Sequence, residues 1–396
     1  MNLEEIQEQL KAEQVDGWLF FDHHHRDPIA YRVLGLPLGG HVSRRWYYWI
    51  PAVGLPVKLV HRIESGKLDA VPGERLLYSS WKEQHERLGE MLGGASRIAM
   101  QYSPDCMIPY VSLVDGGTID LVRGLGKEVV SSAALVQYFE ARWSAGQLES
   151  HLEAGKLIDG IRRAAFEETG RRIRSDGSVQ EAAIAEFIRK RFDENGLYAE
   201  DGPIVAVNAN SGNPHYAPTE ELTSPIRAED FLLIDLWARF DRPGAVYYDI
   251  TWTGYAGISP PPEIENVFRI VRDARDKAVD FVRAAVAAGR EIRGCDIDDV
   301  TRGFIRGHGF GEHFTHRTGH SIGEEVHGNG ANIDNLETKD ERRIIPRTCF
   351  SIEPGIYLPN FGVRCEIDCY VGESSAGPTG EVQTELVRID CMGCMG

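Results

Sequence analysis

Apolar residues along the chain recur in two rhythms, and the change from one to the other divides it. Leu3, Ile6 and Leu10 fall at helical spacing, and Val15-Asp-Gly-Trp-Leu-Phe-Phe21 then reads as a strand. Arg45-Trp-Tyr-Tyr-Trp-Ile50 and Pro56-Val-Lys-Leu-Val-His61 predict two more strands around the turn signal Pro51-Ala-Val-Gly54. This mixed pattern runs to about residue 142. At Ser144-Ala-Gly-Gln147 a capping box opens a long helix with Leu148, Leu152, Ile158, Ile161 and Phe166 on its apolar stripe. Ser178-Val-Gln-Glu181 has the same form and predicts a helix carrying Ile184, Phe187 and Ile188 and ending near Asn195-Gly196. A third helix is predicted after Pro260-Pro-Pro262, ending at Gly289, and a fourth from near Asp296, stopping before Gly307-His-Gly309. Ribbons of β-branched and aromatic residues lie between these helices. The fold class is read as α+β, with a mixed α/β domain over residues 1–142 and a helix-and-ribbon domain over 143–396.

Two ribbons break their apolar pattern with acids. In the first, the arms around Asp241-Arg-Pro-Gly244 carry Asp235 and Asp249, whose midpoint, position 242, falls inside the turn. Paired as an antiparallel hairpin, the two aspartates would face each other with Cβ atoms about 4.5–5.5 Å apart. The second runs from Cys349 through Glu353 to Glu366, whose midpoint lies between Pro359 and Asn360. Like charges directly opposite destabilise a sheet. An acid inside Leu-Leu-Ile-Asp-Leu-Trp, or inside Cys-Phe-Ser-Ile-Glu-Pro, is costly to leave unpaired. Two divalent cations would neutralise the four carboxylates, a reading preferred to a solvated hairpin edge.

Composition narrows the partners. With 60 acidic against 43 basic residues in 396, the formal net charge is −17, which argues against nucleic acid or an anionic membrane surface. The acidic amphipathic N-terminus has neither a basic n-region nor an apolar h-region, and no apolar run approaches a membrane span. Seven cysteines without framework spacing read as reduced thiols in a cytoplasmic protein. Cys391-Met-Gly-Cys394 is read as a terminus rather than a redox or metal site. His23-His24-His25, taken as an extended segment, would point to alternating faces and is read as a surface or interdomain contact. His316, His320 and His327 fall within twelve residues in the glycine-rich stretch between the ribbons, and His215 lies in a polar loop before the first.

Asp235, Asp249-Ile-Thr, His320 in Gly-His-Ser-Ile-Gly, Glu353-Pro-Gly and Glu366 after Gly-Val-Arg together resemble the pita-bread metallopeptidases, family M24. The resemblance covers roughly residues 144–390, and residues 1–142 are similar to the creatinase/prolidase-type N-terminal domain. It implies that Asp235 binds one metal, His320 and Glu353 the other, and that Asp249 and Glu366 bridge both. Manganese is the first choice on ligand hardness, with cobalt or zinc as alternatives. By the same resemblance Glu353 shuttles a proton, His215, His316 and His327 position the peptide, and Arg364 and Tyr357 stand beside them, His215, His316 and Arg364 being candidates for a substrate carboxylate. The implied activity is hydrolysis of the bond before proline in short Xaa-Pro peptides, dipeptides included, by a cytoplasmic homodimer. The alternatives are aminopeptidase P action on Xaa-Pro-Yaa and a non-catalytic peptide binder. Trp237, Trp252, Ile367 and Gly-His-Ser depart from the family pattern without removing a ligand.

Overall fold

Trp18, Phe20, Tyr48 and Ile50 are buried on one face of a sheet and Leu19, Phe21, Tyr47 and Trp49 on the other. A strand covered on both sides reads as an unbroken apolar run, which is why these segments stand out in the sequence. The computed structural model describes residues 1–391 and divides the chain into two compact units, Met1–Glu140 and Ala141–Gly396.

The first unit is a six-stranded mixed sheet built from β1 (Gly17–Asp22), β2 (Trp46–Pro51), β3 (Val57–His61), β4 (Glu74–Tyr78), β5 (Arg97–Met100) and β6 (Glu128–Ser131), in the order β4-β3-β2-β1-β5-β6. Helices α1 (Leu3–Ala12), α2 (Pro28–Leu34) and α5 (Ala133–Glu140) cover one face, and α3 (Trp81–Met91) and α4 (Gly116–Gly124) the other. His23–His25 depart from expectation. His24 and His25 have φ of 64° and 57°, so the segment turns rather than extends, and the alternating-face argument does not apply. The His25 ring lies 2.9 Å from the Gly40 carbonyl.

In the second unit α6 (Ala145–Asp176) begins at the expected capping box, with Ser144 and Gln147 each receiving the other's amide. Helix α7 (Glu181–Glu194) does not. Glu181 is buried and accepts from the Val207 and Ser224 amides at 2.7 Å, the Tyr216 hydroxyl at 2.6 Å and Asn210 Nδ2 at 3.0 Å. It pins the segment that carries His215, so the acid that read as a cap partner is a tertiary anchor. Helices α8 (Pro262–Ala287) and α9 (Gly294–Gly307) follow as predicted. One half of α8 packs against Phe231, Leu233 and Tyr255 of a five-stranded sheet. The other half packs against Phe350, Ile352 and Ile367 of a four-stranded sheet, so one amphipathic helix backs both.

The ribbons lie at the centres of these sheets. In the first, Phe231–Phe240 pairs with Tyr248–Tyr255 so that Asp235 opposes Thr251 and Trp237 opposes Asp249. The two aspartates are therefore diagonal rather than facing. The cause is the connection: Arg242 N bonds Phe240 O, Ala245 N bonds Arg242 O, and Tyr247 gives its N–H to Gly323 O, so the arms are unequal. An offset of two keeps both carboxylates on the same face. In the second ribbon the pairs Ile352–Ile367 and Gly355–Arg364 share one axis, which sets Glu353 opposite Glu366 as the midpoint predicts. The ladder is interrupted there, where Pro354 has no N–H to give.

Candidate metal centre

At that interruption the backbone is held by neighbours instead of its own partner strand. The Glu353 amide donates to Thr318 O at 2.8 Å, and the Glu366 amide to Thr251 O at 3.1 Å, which draws the two sheets together. Gly319 lets the His320 segment approach equally closely, since a Cβ at residue 319 would stand 1.9 Å from the Ser351 carbonyl oxygen. The Asp298 and Arg302 pair on α9 fixes the chain just before it. Asp298 accepts the Thr318 amide and hydroxyl, while Arg302 donates to the Phe314 and His316 carbonyls.

Among the described residues Asp249, His320 and Glu366 each offer a ligand atom within 4.8 Å of the others, and all three are buried. Glu353 and Asp235 border this group. His320 Nε2 stands 3.4 Å from Glu353 Oε1 and 3.6 Å from Asp249 Oδ2, while its Nδ1 faces the Ser321 carbonyl at 3.4 Å. Nδ1 carries the proton in that arrangement, leaving the Nε2 lone pair toward the carboxylates. Burial, with a smaller effect from His327, holds the His320 pKa well below the usual imidazole range, which favours the neutral ring.

The carboxylates repel each other in the dry site. Asp249 is pushed well above the usual carboxylate range, first by burial and then by the charge of Asp235. Glu366 moves the same way, by burial and then Asp249, and Glu353 rises to about 7, by burial against the opposing pull of Arg364. Asp235 Oδ1 is buried with no hydrogen-bond partner. A crowd of oxygen donors, one neutral imidazole and an orphaned carboxylate oxygen fit hard or borderline divalent cations.

Around this centre Arg364 is 4% exposed. It donates through Nη2 to Asp235, through Nε to Thr251 Oγ1 at 3.0 Å and through Nη1 to the Tyr357 hydroxyl at 3.1 Å. Thr251 in turn donates to Glu366 Oε2 at 2.6 Å. The Arg364 guanidinium is thus committed inside the protein, where it braces Asp235. His316 continues the chain. Its Nδ1 lies 2.6 Å from the Arg317 carbonyl, and its Nε2 takes the Tyr357 O–H at 2.6 Å. Burial first, and then Arg364, lower the His316 pKa to about 3. On another side His327 meets His320 ring edge to face at 4.4 Å. Desolvation around its inner edge, then the charges of Arg317 and His215, bring His327 to about 4 although its outer edge is exposed. His215 is exposed and close enough to act on His327.

Ser351, Asp368 and His151 are not singled out by the sequence, and Thr251 stands there only within Asp249-Ile-Thr. Ser351 Oγ accepts the His320 amide at 3.0 Å and donates to Glu353 at 3.2 Å. Asp368 is an acid within the apolar run Ile367–Val371, the same signal that marked Asp235. The Cys391-Met-Gly-Cys394 tail is described only to Cys391, and Cys394 lies outside the described residues.

Residues 149–373, more than half of the chain, match metallopeptidase family M24, and the chain belongs to this family of enzymes. It is 32% identical over 221 residues to the Xaa-Pro dipeptidase of Lactobacillus delbrueckii subsp. lactis, a match covering 55% of this chain and 54% of that one. The chain spans about half the length of the curated relatives it matches. Among solved structures, the dipeptidase PepE of Mycobacterium ulcerans superposes with a TM-score of 0.69 at 21% identity, covering 98% of this chain and 96% of that one. The prolidase of Pyrococcus horikoshii gives 0.61 at 23%, covering 97% and 99%. These two likenesses bear out the expected fold, a creatinase/prolidase-type α/β domain followed by the pita-bread domain.

Proposed function

We propose that this protein is an Xaa-Pro dipeptidase that uses two divalent metal ions to hydrolyse the bond before proline. The observation that carries the reading is the convergence of Asp249, His320 and Glu366 in one buried cluster bordered by Asp235 and Glu353, in a member of a metallopeptidase family. The dipeptidase relative supports the substrate class. Asp235 would bind one ion, His320 and Glu353 the other, and Asp249 and Glu366 both. Manganese is the preferred metal because four of the five ligands are carboxylates, with cobalt or zinc as alternatives. Bound divalent ions would lower the pKa of water and polarise a carbonyl oxygen.

The chain's own groups do the rest. Glu353 has a side chain 15% exposed where Asp249 and Glu366 are buried, so it can carry a proton from an attacking water to the departing proline nitrogen. His327 and His215 are exposed and would orient the scissile carbonyl, while Tyr357 and His316 are bonded to each other beside Arg364. With Arg364 and His316 tied into hydrogen bonds, His215 is the open donor for a substrate carboxylate. The domain organisation we propose is the 1–142 and 143–396 division, in a homodimer. The cysteines described as free thiols support a cytoplasmic setting. Among the described residues no helix is long and apolar enough to cross a membrane.

The substrate assignment is tested by comparing Xaa-Pro, its C-terminal amide and Xaa-Pro-Yaa under one metal condition. Amidation is expected to lower kcat/KM by about tenfold or more, the worth of a lost hydrogen bond to a charged group. Tripeptide cleavage as fast as or faster than dipeptide cleavage would overturn the dipeptidase assignment in favour of aminopeptidase P. His327→Ala is expected to retain both ions and lose roughly 10²-fold in kcat, within the range of a positioned acid–base or orienting group. Unchanged kcat/KM in that variant, with bound metal assayed alongside, would reduce His327 to a packing residue.

A further inference from the structure

The strand that delivers Asp249 is clamped from outside its own ladder. The Asp249 amide donates to a side chain, Asp368 Oδ2, at 2.8 Å. Asp368 is 1% exposed, and its other carboxylate oxygen is buried without a hydrogen-bond partner. Two residues earlier, just before the strand begins, the Tyr247 carbonyl lies 2.6 Å from His151 Nδ1. A carbonyl can only accept, so Nδ1 carries the proton and donates. His151 Nε2 then accepts from Thr379 Oγ1 at 2.7 Å, and the same nitrogen faces Asp368 Oδ2 at 3.9 Å. His151 is fully buried on α6, with its ring centroid 4.9 Å from that of Trp143. Thr379 joins the two halves, because its amide donates to the Asp368 carbonyl at 3.0 Å.

We propose that Asp368 and His151 are positioning residues for the metal centre. They hold residues 247–249 at two backbone points and so set where the Asp249 carboxylate stands among His320 and Glu366. Neither is one of the three residues whose ligand atoms converge. The clamp does not depend on either group changing protonation. It depends on Asp368 offering an acceptor to one amide and His151 a donor to one carbonyl. Outer partners of this kind typically change metal affinity 10–100-fold when removed. The inference rests on the metal reading of the site, and its test separates the two.

Metal-stripped wild type, Asp368→Ala, Asp368→Asn and His151→Phe are titrated with Mn²⁺ by calorimetry, and the melting temperature of each stripped protein reports whether it folds. Asp368→Ala is expected to weaken Mn²⁺ binding by roughly 10–100-fold. Asp368→Asn is expected to restore most of it, since an amide oxygen can accept the same N–H. His151→Phe keeps a ring against Trp143 but loses the donor, and is expected to weaken binding several-fold. If Asp368→Ala does not fold, the comparison of Asp368→Asn with His151→Phe decides. Wild-type affinity in folded Asp368→Ala, or in His151→Phe, overturns the clamp, as does an Asp368→Asn variant no better than Asp368→Ala. A wild type that binds no Mn²⁺ overturns the metal reading instead.

Discussion

Asp249→Asn should lose bound metal and peptidase activity together, while its metal-free form stays folded. Asp249 belongs to the one mutually close ligand group among the described residues, with His320 and Glu366. The substitution keeps the side chain's shape and leaves the backbone amide on Asp368, so the clamp survives and only a negative charge is removed. Ion affinity should fall by more than the roughly 10–100-fold of an outer-partner change, because a ligand itself is altered. Stability should move the other way in the stripped protein. Burial and the charges of Asp235 and Asp368 push the Asp249 carboxyl well above its usual range, so the ionised form is strained there when no cation is present. Stripped Asp249→Asn is expected to melt no lower than stripped wild type. A variant that keeps two ions and normal turnover would remove Asp249 from the centre.

The second large effect is on folding. Arg364→Met should destabilise the metal-free protein by about 3–5 kcal/mol, the usual result of deleting one partner of a buried ion pair. The guanidinium is the bonded cation of Asp235, and it also supplies donors to Thr251 and Tyr357. Methionine fills much of the volume but leaves those acceptors without a donor. For a unit of this size each kcal/mol corresponds to roughly 2–4 °C, so the melting temperature should drop by on the order of 10 °C. Arg364→Lys should recover little, because one ammonium cannot span three acceptors in the geometry a guanidinium fork does. An unchanged melting temperature in stripped Arg364→Met would mean that Asp235 is accommodated without its cation.

How far the fold was legible follows from which signals are local. Strands covered on both faces, such as Trp18 to Phe21, announce themselves as apolar runs, and the Ser144–Gln147 capping box is a contact between residues three apart. The Glu353–Glu366 register follows from a symmetric turn. The Asp235–Asp249 register does not, because the bonds of Arg242, Ala245 and Tyr247 shift it, and Tyr247's partner is Gly323, far away in sequence. Glu181 was misread for a related reason. The pattern Ser-x-x-Glu is compatible with a cap, but the donors from Val207, Tyr216 and Ser224 claim the carboxylate first. Of the site, the acids inside apolar runs were visible because burial without a partner is costly. The wiring among His316, Tyr357 and Arg364 was not, since each link joins residues whose spacing in sequence carries no periodic signal.

In the proposed function, four carboxylates and one imidazole hold two divalent ions that the peptidase activity requires. Protein stripped with chelator, titrated with Mn²⁺ and analysed for metal per chain while Xaa-Pro hydrolysis is followed, tests it most directly. The expected result is no hydrolysis in the stripped protein and full activity reached as the second equivalent binds. Stripped protein that still cleaves Xaa-Pro, or protein that takes up no ion at saturating Mn²⁺, would contradict it.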